Sequence, residues 1–157
     1  MLAIIIVSFL LEAIISNFVP IHGFFAPLLT LTALITICPL FDEKTKYYKY
    51  AFITGLMYDL FYTNTICFHA IIFCLMAYIV LRLNLVLSDN YANEIIIMAL
   101  CIVMYRVITY CILALIGNVS FDFIELFLSI IKSLIINLAY SALIFSIIKK
   151  FKPKTRY

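Results

Sequence analysis

Four ionisable residues interrupt stretches of the sequence that are otherwise apolar: Glu12, Asp59, Arg106 and Lys132. An ionisable side chain at membrane depth is costly unless it is paired or hydrated, so each of the four is a candidate functional residue. Their formal charges sum to zero, so the simplest hypothesis is mutual pairing. One of the two acids would face Arg106, and Lys132 would serve the other. The alternative is a hydrated cavity, lined by these groups, that holds a polar ligand or relays protons.

A second pattern lies in the last apolar stretch, where small and polar residues recur every four positions and form a stripe. The stripe consists of Ser129, Ser133, Asn137 and Ser141. Residues four apart lie on one face of a helix, and small or polar residues favour close packing and hydrogen bonds between membrane helices. The stripe either packs against other helices of this chain or docks a transmembrane helix of a partner.

Gly55 and Asp59 are also four residues apart and share one helical face. Glycine lets another backbone approach closely, while the aspartate finds a polar partner beside it. Both residues lie just before a short polar turn, Thr63-Asn64-Thr65. Because this turn is so short, the helix before it and the helix after it are expected to be antiparallel neighbours.

No combination of residues typical of catalysis or metal binding is present. The sequence lacks G-x-S-x-G, H-E-x-x-H and a glycine-rich phosphate loop. Its five cysteines lie in apolar stretches without C-x-x-C spacing and are expected to be small buried residues. His22 and His69 are expected near a membrane interface rather than in a metal site. The sequence therefore predicts a protein that is not an enzyme and needs no cofactor or metal.

The composition requires a lipid bilayer around the chain. Of the 157 residues, 67% are hydrophobic and 12% are charged, against roughly 45–50% and about 25% in soluble domains. A chain this short cannot bury so many apolar side chains, so the remainder must face lipid. The net charge of +3 comes without a nucleic-acid-reading motif, so no nucleic-acid partner is expected. The predicted fold class is all-α, a polytopic integral membrane protein with a six-helix transmembrane bundle.

The apolar stretches predict a single transmembrane domain over residues 1–157. Its approximate helices are 2–19, 24–41, 47–62, 66–87, 95–116 and 123–148. Proline, glycine and charged residues mark the breaks between them. A basic tail over 149–157 follows the last helix.

The lysines and arginines predict the orientation, because basic residues accumulate on the cytoplasmic side of a membrane. If both termini are cytoplasmic, nine of the eleven basic residues lie on the inner side and the outer turns carry none. The nine are Lys44, Lys46, Lys49, Arg82, Lys149, Lys150, Lys152, Lys154 and Arg156. We therefore expect a multi-pass protein of the bacterial cytoplasmic (inner) membrane with both termini cytoplasmic.

Residues 50–69 resemble the signature hairpin of the bacterial rod shape-determining protein MreD family. That family typically shows G-x-x-x-G-x-x-x-D, a short polar turn and then a glycine. Gly55 and Asp59 match the second glycine and the aspartate, whereas Ala51 and Cys67 stand where the other glycines are usual. Length, the six apolar stretches and the basic tail also resemble the family.

The resemblance implies a non-enzymatic membrane scaffold subunit of the cell-elongation machinery, which supports rod shape and lateral peptidoglycan synthesis. The implied partner is an MreC-like single-span membrane protein and, through it, the actin-like MreB, the glycosyltransferase RodA and a class B penicillin-binding transpeptidase. The resemblance also implies a six-helix fold like that of the substrate-binding subunits of energy-coupling-factor vitamin transporters.

The alternative function is therefore that of a substrate-binding subunit of a vitamin transporter, in which outer polar residues line a pocket. Two features argue against it. The chain has no tryptophan, and its first helix lacks the A-x-x-x-A motif that those subunits tend to use for docking. A proton- or ion-coupled carrier is less favoured still, since the sequence shows no broken helices in paired halves.

Overall fold

The structure is a computed structural model that describes residues 2–18, 27–63, 65–87, 91–117 and 122–151. All regular secondary structure within these ranges is helical, which confirms the all-α prediction and its six helices. His22 and the last six residues of the basic tail lie outside the described residues.

Six α-helices follow one another along the chain. They are α1 (Leu2–Phe18), α2 (Leu29–Thr36), α3 (Lys44–Tyr58), α4 (Phe68–Val86), α5 (Tyr91–Leu115) and α6 (Phe123–Phe151). A 3₁₀ turn, Cys38–Leu40, follows α2, and a π-helical turn, Asp59–Thr63, continues α3. The apolar parts of α4, α5 and α6 are each long enough to cross a membrane, and α1 is a shorter apolar helix. These helices fit a membrane protein.

The second helix is much shorter than the predicted range of 24–41, because α2 already ends at Thr36. The 3₁₀ turn that follows holds Pro39 near its start. Proline lacks the N–H that a continuing helix needs, and its ring clashes with the preceding turn. The chain leaves the helix there and enters α3 at Lys44, three residues before the predicted start of the third helix.

The short helix α2 lies in the middle of the bundle. It packs against α1, α4, α5 and α6, and every side chain from Leu29 to Ile35 is buried. A helix that is apolar on all sides is stable when other helices surround it. Its two buried threonines, Thr30 and Thr32, and the backbone N–H groups of its first turn therefore need partners from neighbouring helices.

Candidate functional site

A set of buried polar side chains connects α2 to four other helices. This buried polar network consists of Glu12, Thr30, Thr32, Tyr58, Arg106, Ser133 and Asn137. The first turn of a helix leaves its backbone N–H groups without intrahelical partners, and such groups must be satisfied when they are buried. The network satisfies them for α2 within the bundle.

Glu12 of α1 caps the start of α2 and is almost completely buried. Its Oε2 accepts hydrogen bonds from the backbone N–H of Thr30 at 2.8 Å and from the Thr30 hydroxyl at 2.6 Å. Its Oε1 accepts a third bond, from the hydroxyl of Tyr58 at 2.9 Å. An acidic group is also favoured here electrostatically, because the N-terminus of a helix carries a partial positive charge. The single side chain of Glu12 therefore joins α1, α2 and α3.

Asn137 of α6 supplies the second cap and uses its full hydrogen-bonding capacity. Its Oδ1 accepts from the backbone N–H of Leu28 at 3.1 Å and from the Thr32 hydroxyl at 3.0 Å. Its Nδ2 donates to the backbone oxygen of Ser133 at 2.7 Å and to the Ser133 hydroxyl at 3.1 Å. This side chain therefore fixes the distance and rotation between α2 and α6.

Arg106 joins α5 to the same network. Its Nε and Nη2 each lie 3.2 Å from the hydroxyl oxygen of Ser133 and donate to it. Arg106 also acts electrostatically on Glu12, although no salt bridge joins the two among the described side chains. The buried polar network thus holds one acid and one base that stabilise each other across the bundle rather than in direct contact.

The predicted direct ion pairs were wrong. Among the described residues, neither Glu12 nor Asp59 forms a salt bridge with Arg106 or Lys132. Both carboxylates instead accept hydrogen bonds at the start of a helix, where backbone N–H groups already supply donors. Lys132 has an exposed side chain on α6, so it does not lie in the buried polar network.

Asp59, at the end of α3, caps the start of α4. We call this arrangement the Asp59 cap, formed by Asp59 with Thr65, His69 and Ala70. Oδ1 of Asp59 accepts from the Thr65 hydroxyl at 2.6 Å, the His69 backbone N–H at 2.9 Å and His69 Nδ1 at 2.8 Å. Its Oδ2 accepts from the Ala70 backbone N–H at 3.2 Å. The Asp59 cap therefore ties α3 to α4 and holds the ring of His69 in one orientation.

Gly55 lies one turn before the Asp59 cap, where α3 and α4 touch through their backbones. A Cβ atom at this position would be 2.4 Å from the Cα of Ala70 and 2.7 Å from the backbone oxygen of His69. No real Cβ atom is accommodated so close to backbone atoms. Only glycine allows the approach that brings Asp59 within hydrogen-bonding distance of α4.

Cys67 precedes α4 in the left-handed conformation, with φ of 60°. A residue with a Cβ atom loses roughly 1–2 kcal/mol in this conformation, whereas glycine adopts it freely. Glycine also adds about 0.4–1 kcal/mol of freedom to the unfolded chain, which offsets part of the gain. We expect Cys67→Gly to raise the free energy of unfolding by about 0.5–1 kcal/mol, measured by denaturant titration in detergent micelles.

The matched control is the same substitution inside α4. Cys74→Gly lies in a regular helical turn and should lower the free energy of unfolding by about 1 kcal/mol. If Cys67→Gly destabilises the chain as much as Cys74→Gly does, the left-handed conformation at Cys67 is not the source of strain.

The stripe of small and polar residues on α6 faces the interior of this chain. Ser129, Ser133, Asn137 and Ser141 are all buried by the helices of the same chain. The hydroxyls of Ser129 and Ser141 donate to backbone oxygens three residues earlier in α6, at 2.9 and 2.8 Å. Because the stripe is already covered, it offers no surface to a partner helix.

Three residues of these clusters were not identified as candidates by the sequence analysis, namely Thr30, Thr32 and Tyr58. Each is polar and lies in an apolar stretch, which is the one sequence signal that could have identified them. The sequence predicts His69 near a membrane interface but gives it no partner, whereas in the structure it is 6% exposed and bonded to Asp59. Its position ten residues after Asp59 gives no helical register, since a turn separates the two.

The two clusters hold the helices of the described chain together through hydrogen bonds between their side chains and backbone groups. Every buried side-chain nitrogen or oxygen described has a hydrogen-bond partner. Within the same ranges, no group of three or more histidine, cysteine, aspartate or glutamate residues is placed to hold a metal ion. Together the buried polar network and the Asp59 cap connect all six helices.

Comparison with known proteins places the chain in one family. The family model described as rod shape-determining protein MreD matches residues 1–154, nearly the whole sequence. No curated protein and no solved structure matches the chain. The expected likeness to the substrate-binding subunits of vitamin transporters is therefore not confirmed. With a match that spans the hairpin, both polar clusters and all six helices, this chain belongs to the MreD family of rod shape-determining proteins.

Proposed function

We propose that this protein is a non-enzymatic membrane scaffold of the bacterial cell-elongation machinery. Membership of the MreD family implies a rod-shape-determining role in a structural rather than an enzymatic family. The further steps, support of lateral peptidoglycan synthesis and binding of partner membrane proteins, are our proposal. The single observation that carries it is that every buried polar side chain that the structure describes has a hydrogen-bond partner within the chain.

A scaffold needs a fixed arrangement of helices, and the two polar clusters supply it. Glu12 accepts three hydrogen bonds, and Asn137 takes part in four. In a membrane, lipid tails make apolar contacts as good as those between helices, so apolar contact alone does not fix how helices pack. Hydrogen bonds between helices supply the missing specificity. These bonds favour one relative placement of the helices and therefore one outer surface.

A vitamin-binding role would require polar groups that remain available to a ligand. Two cavities between described residues measure about 20 and 210 Å³, and both are below the roughly 300 Å³ at which small-molecule sites begin. Neither is lined by a residue of the buried polar network. The buried polar side chains of the described residues are already hydrogen-bonded within the chain, which supports the scaffold over the transporter subunit.

The outer surface of the bundle offers broad apolar faces to partner helices. On α1 the exposed large residues include Leu2, Ile6, Val7, Leu10 and Ile14. On α6 they include Phe123, Ile124, Phe127, Leu128, Ile131, Ile135 and Leu143. We propose that such faces contact lipid and the single membrane-spanning helix of an MreC-like protein. Through that partner the chain would join the actin-like MreB, RodA and a class B penicillin-binding transpeptidase.

The proposed location is the bacterial cytoplasmic membrane, with several crossings and both termini on the cytoplasmic side. The long apolar helices support the crossings. The lysine and arginine distribution supports the orientation, because it places the basic residues of the loops and tail on one side.

Depletion of the protein in its own bacterium tests the proposed function. We expect rod-shaped cells to become round as the protein is lost, while growth does not depend on added vitamins. Purification of the tagged full-length chain from native membranes in mild detergent should recover a single-span protein with a periplasmic coiled coil. Vitamin auxotrophy with unchanged cell shape, or saturable vitamin binding without such a partner, would overturn the scaffold.

A further inference from the structure

A groove of about 210 Å³ lies between the start of α3 and the C-terminal part of α4. Its walls are formed by Lys44, Tyr48, Tyr78, Leu81, Arg82 and Leu85. Lys44 is the first residue of α3, and Arg82 lies one turn before the end of α4. The groove therefore lies at the end of the bundle where these two helices meet the surrounding loops, which is the end that the basic residues of the sequence assign to the membrane surface.

Two cations flank this groove, and neither has a carboxylate partner in the described part of the chain. Arg82 is held in place by Tyr78, since its Nε donates to the tyrosine hydroxyl at 3.1 Å and its guanidinium lies 5.2 Å from the ring centroid. Lys44 is exposed. The nearby Lys46 differs, because it lies 3.1 Å from the carboxylate of Glu43 and does not line the groove.

The remaining walls of the groove are apolar or amphipathic. Leu85 is 65% exposed and Tyr78 is 46% exposed, so both present surface outside the helix pair. Tyrosine is enriched where a membrane meets water, because its ring is apolar and its hydroxyl is polar. The groove thus combines two positive charges, of which Arg82 is held in place by Tyr78, with an apolar side that continues along α4.

We propose that this groove binds the headgroup of one anionic phospholipid. The phosphate lies between Lys44 and Arg82, and the acyl chains run along Leu81 and Leu85. Basic pockets at the ends of transmembrane helices bind anionic headgroups because charge attraction and apolar contact act on the same molecule.

The inference goes beyond the proposed scaffold function and does not depend on it. Lipid binding is measured on the purified chain without any partner protein. Loss of lipid binding would leave the co-purification and depletion results unaffected, and loss of partner binding would leave this site unaffected. The two proposals can therefore fail separately.

The test is native mass spectrometry of the full-length chain in detergent micelles, titrated with dioctanoyl phosphatidylglycerol. A cation in contact with a bound headgroup contributes about 1 kcal/mol of attraction, so loss of the two that line the groove corresponds to roughly 30-fold weaker binding. We expect this loss in a Lys44→Gln/Arg82→Gln variant. The matched control, Lys46→Gln/Lys49→Gln, removes the same charge from α3 outside the groove and should bind within about threefold of the unchanged protein.

Further arms identify the ligand and exclude misfolding. Phosphatidylcholine should bind much more weakly than phosphatidylglycerol, and inorganic phosphate at equal concentration should not displace the lipid. Arg82→Lys keeps the charge and should bind within about threefold of the unchanged protein. The proposal is overturned if the groove variant binds normally, if the control variant weakens equally, if phosphatidylcholine binds as tightly, or if inorganic phosphate displaces the lipid.

Discussion

Replacing Gly55 with alanine should lower the free energy of unfolding by about 2–3 kcal/mol, because the added methyl group meets the backbone of α4 rather than a side chain. The new Cβ atom would lie 2.4 Å from the Cα and 2.7 Å from the backbone nitrogen of Ala70. Rotation of a side chain cannot relieve such a clash, so α3 and α4 must separate. Separation also lengthens the hydrogen bonds of the Asp59 cap. Denaturant titration in detergent micelles measures the loss.

A second substitution shows whether the clash involves backbone atoms. Ala70→Gly removes the Cβ of the facing residue but leaves the atoms that the new methyl group meets. We therefore expect the double variant Gly55→Ala/Ala70→Gly to remain at least as unstable as Gly55→Ala alone. Recovery of stability in the double variant would contradict the backbone contact. As a control on the same helix, Ile53→Val changes a side chain that is 54% exposed and should shift stability by under about 0.5 kcal/mol.

The packing of this hairpin could be anticipated from sequence only in part. The spacing of Gly55 and Asp59 places both on one face of α3, and a short turn makes α4 the natural neighbour. The partners of the carboxylate were not predictable, because they depend on how the chain passes from the π-helical turn to α4. The left-handed backbone at Cys67 determines that path. The conformation of this single residue produces no helical or extended periodicity in the sequence, so it could not be predicted.

The pairing of the buried charges could not be predicted, because it depends on where α2 begins. A second helix over 24–41 would place its N-terminus outside the apolar interior and leave Glu12 in need of a cation. In the structure the helix begins at Leu29 with buried N–H groups, which provide the donors that Glu12 accepts. The stripe on α6 illustrates the same limit, since a period of four residues identifies a helix face but not the helix that covers it.

Truncation of Glu12 should have the largest effect of any single change in the buried polar network. Glu12→Ala removes the acceptor for three buried donors, namely the Thr30 N–H, the Thr30 hydroxyl and the Tyr58 hydroxyl. A buried donor without a partner costs about 1–3 kcal/mol, so we expect a loss of about 3 kcal/mol or more. Proteins are commonly stable by only about 5–15 kcal/mol. Little folded protein should accumulate in membranes, and cells that depend on this variant should become round.

Glu12→Gln separates the scaffold from a proton relay, because it removes the charge and keeps the shape. The glutamine oxygen can accept both hydrogen bonds from Thr30, and its NH₂ can donate to the hydroxyl of Tyr58, which then acts as an acceptor. We expect stability within about 1 kcal/mol of the unchanged protein and normal rod shape. A proton relay through Glu12 needs a group that gains and loses a proton, and the amide does neither. A variant that folds fully yet leaves cells round would therefore show that the carboxylate does more than hold α1, α2 and α3 together.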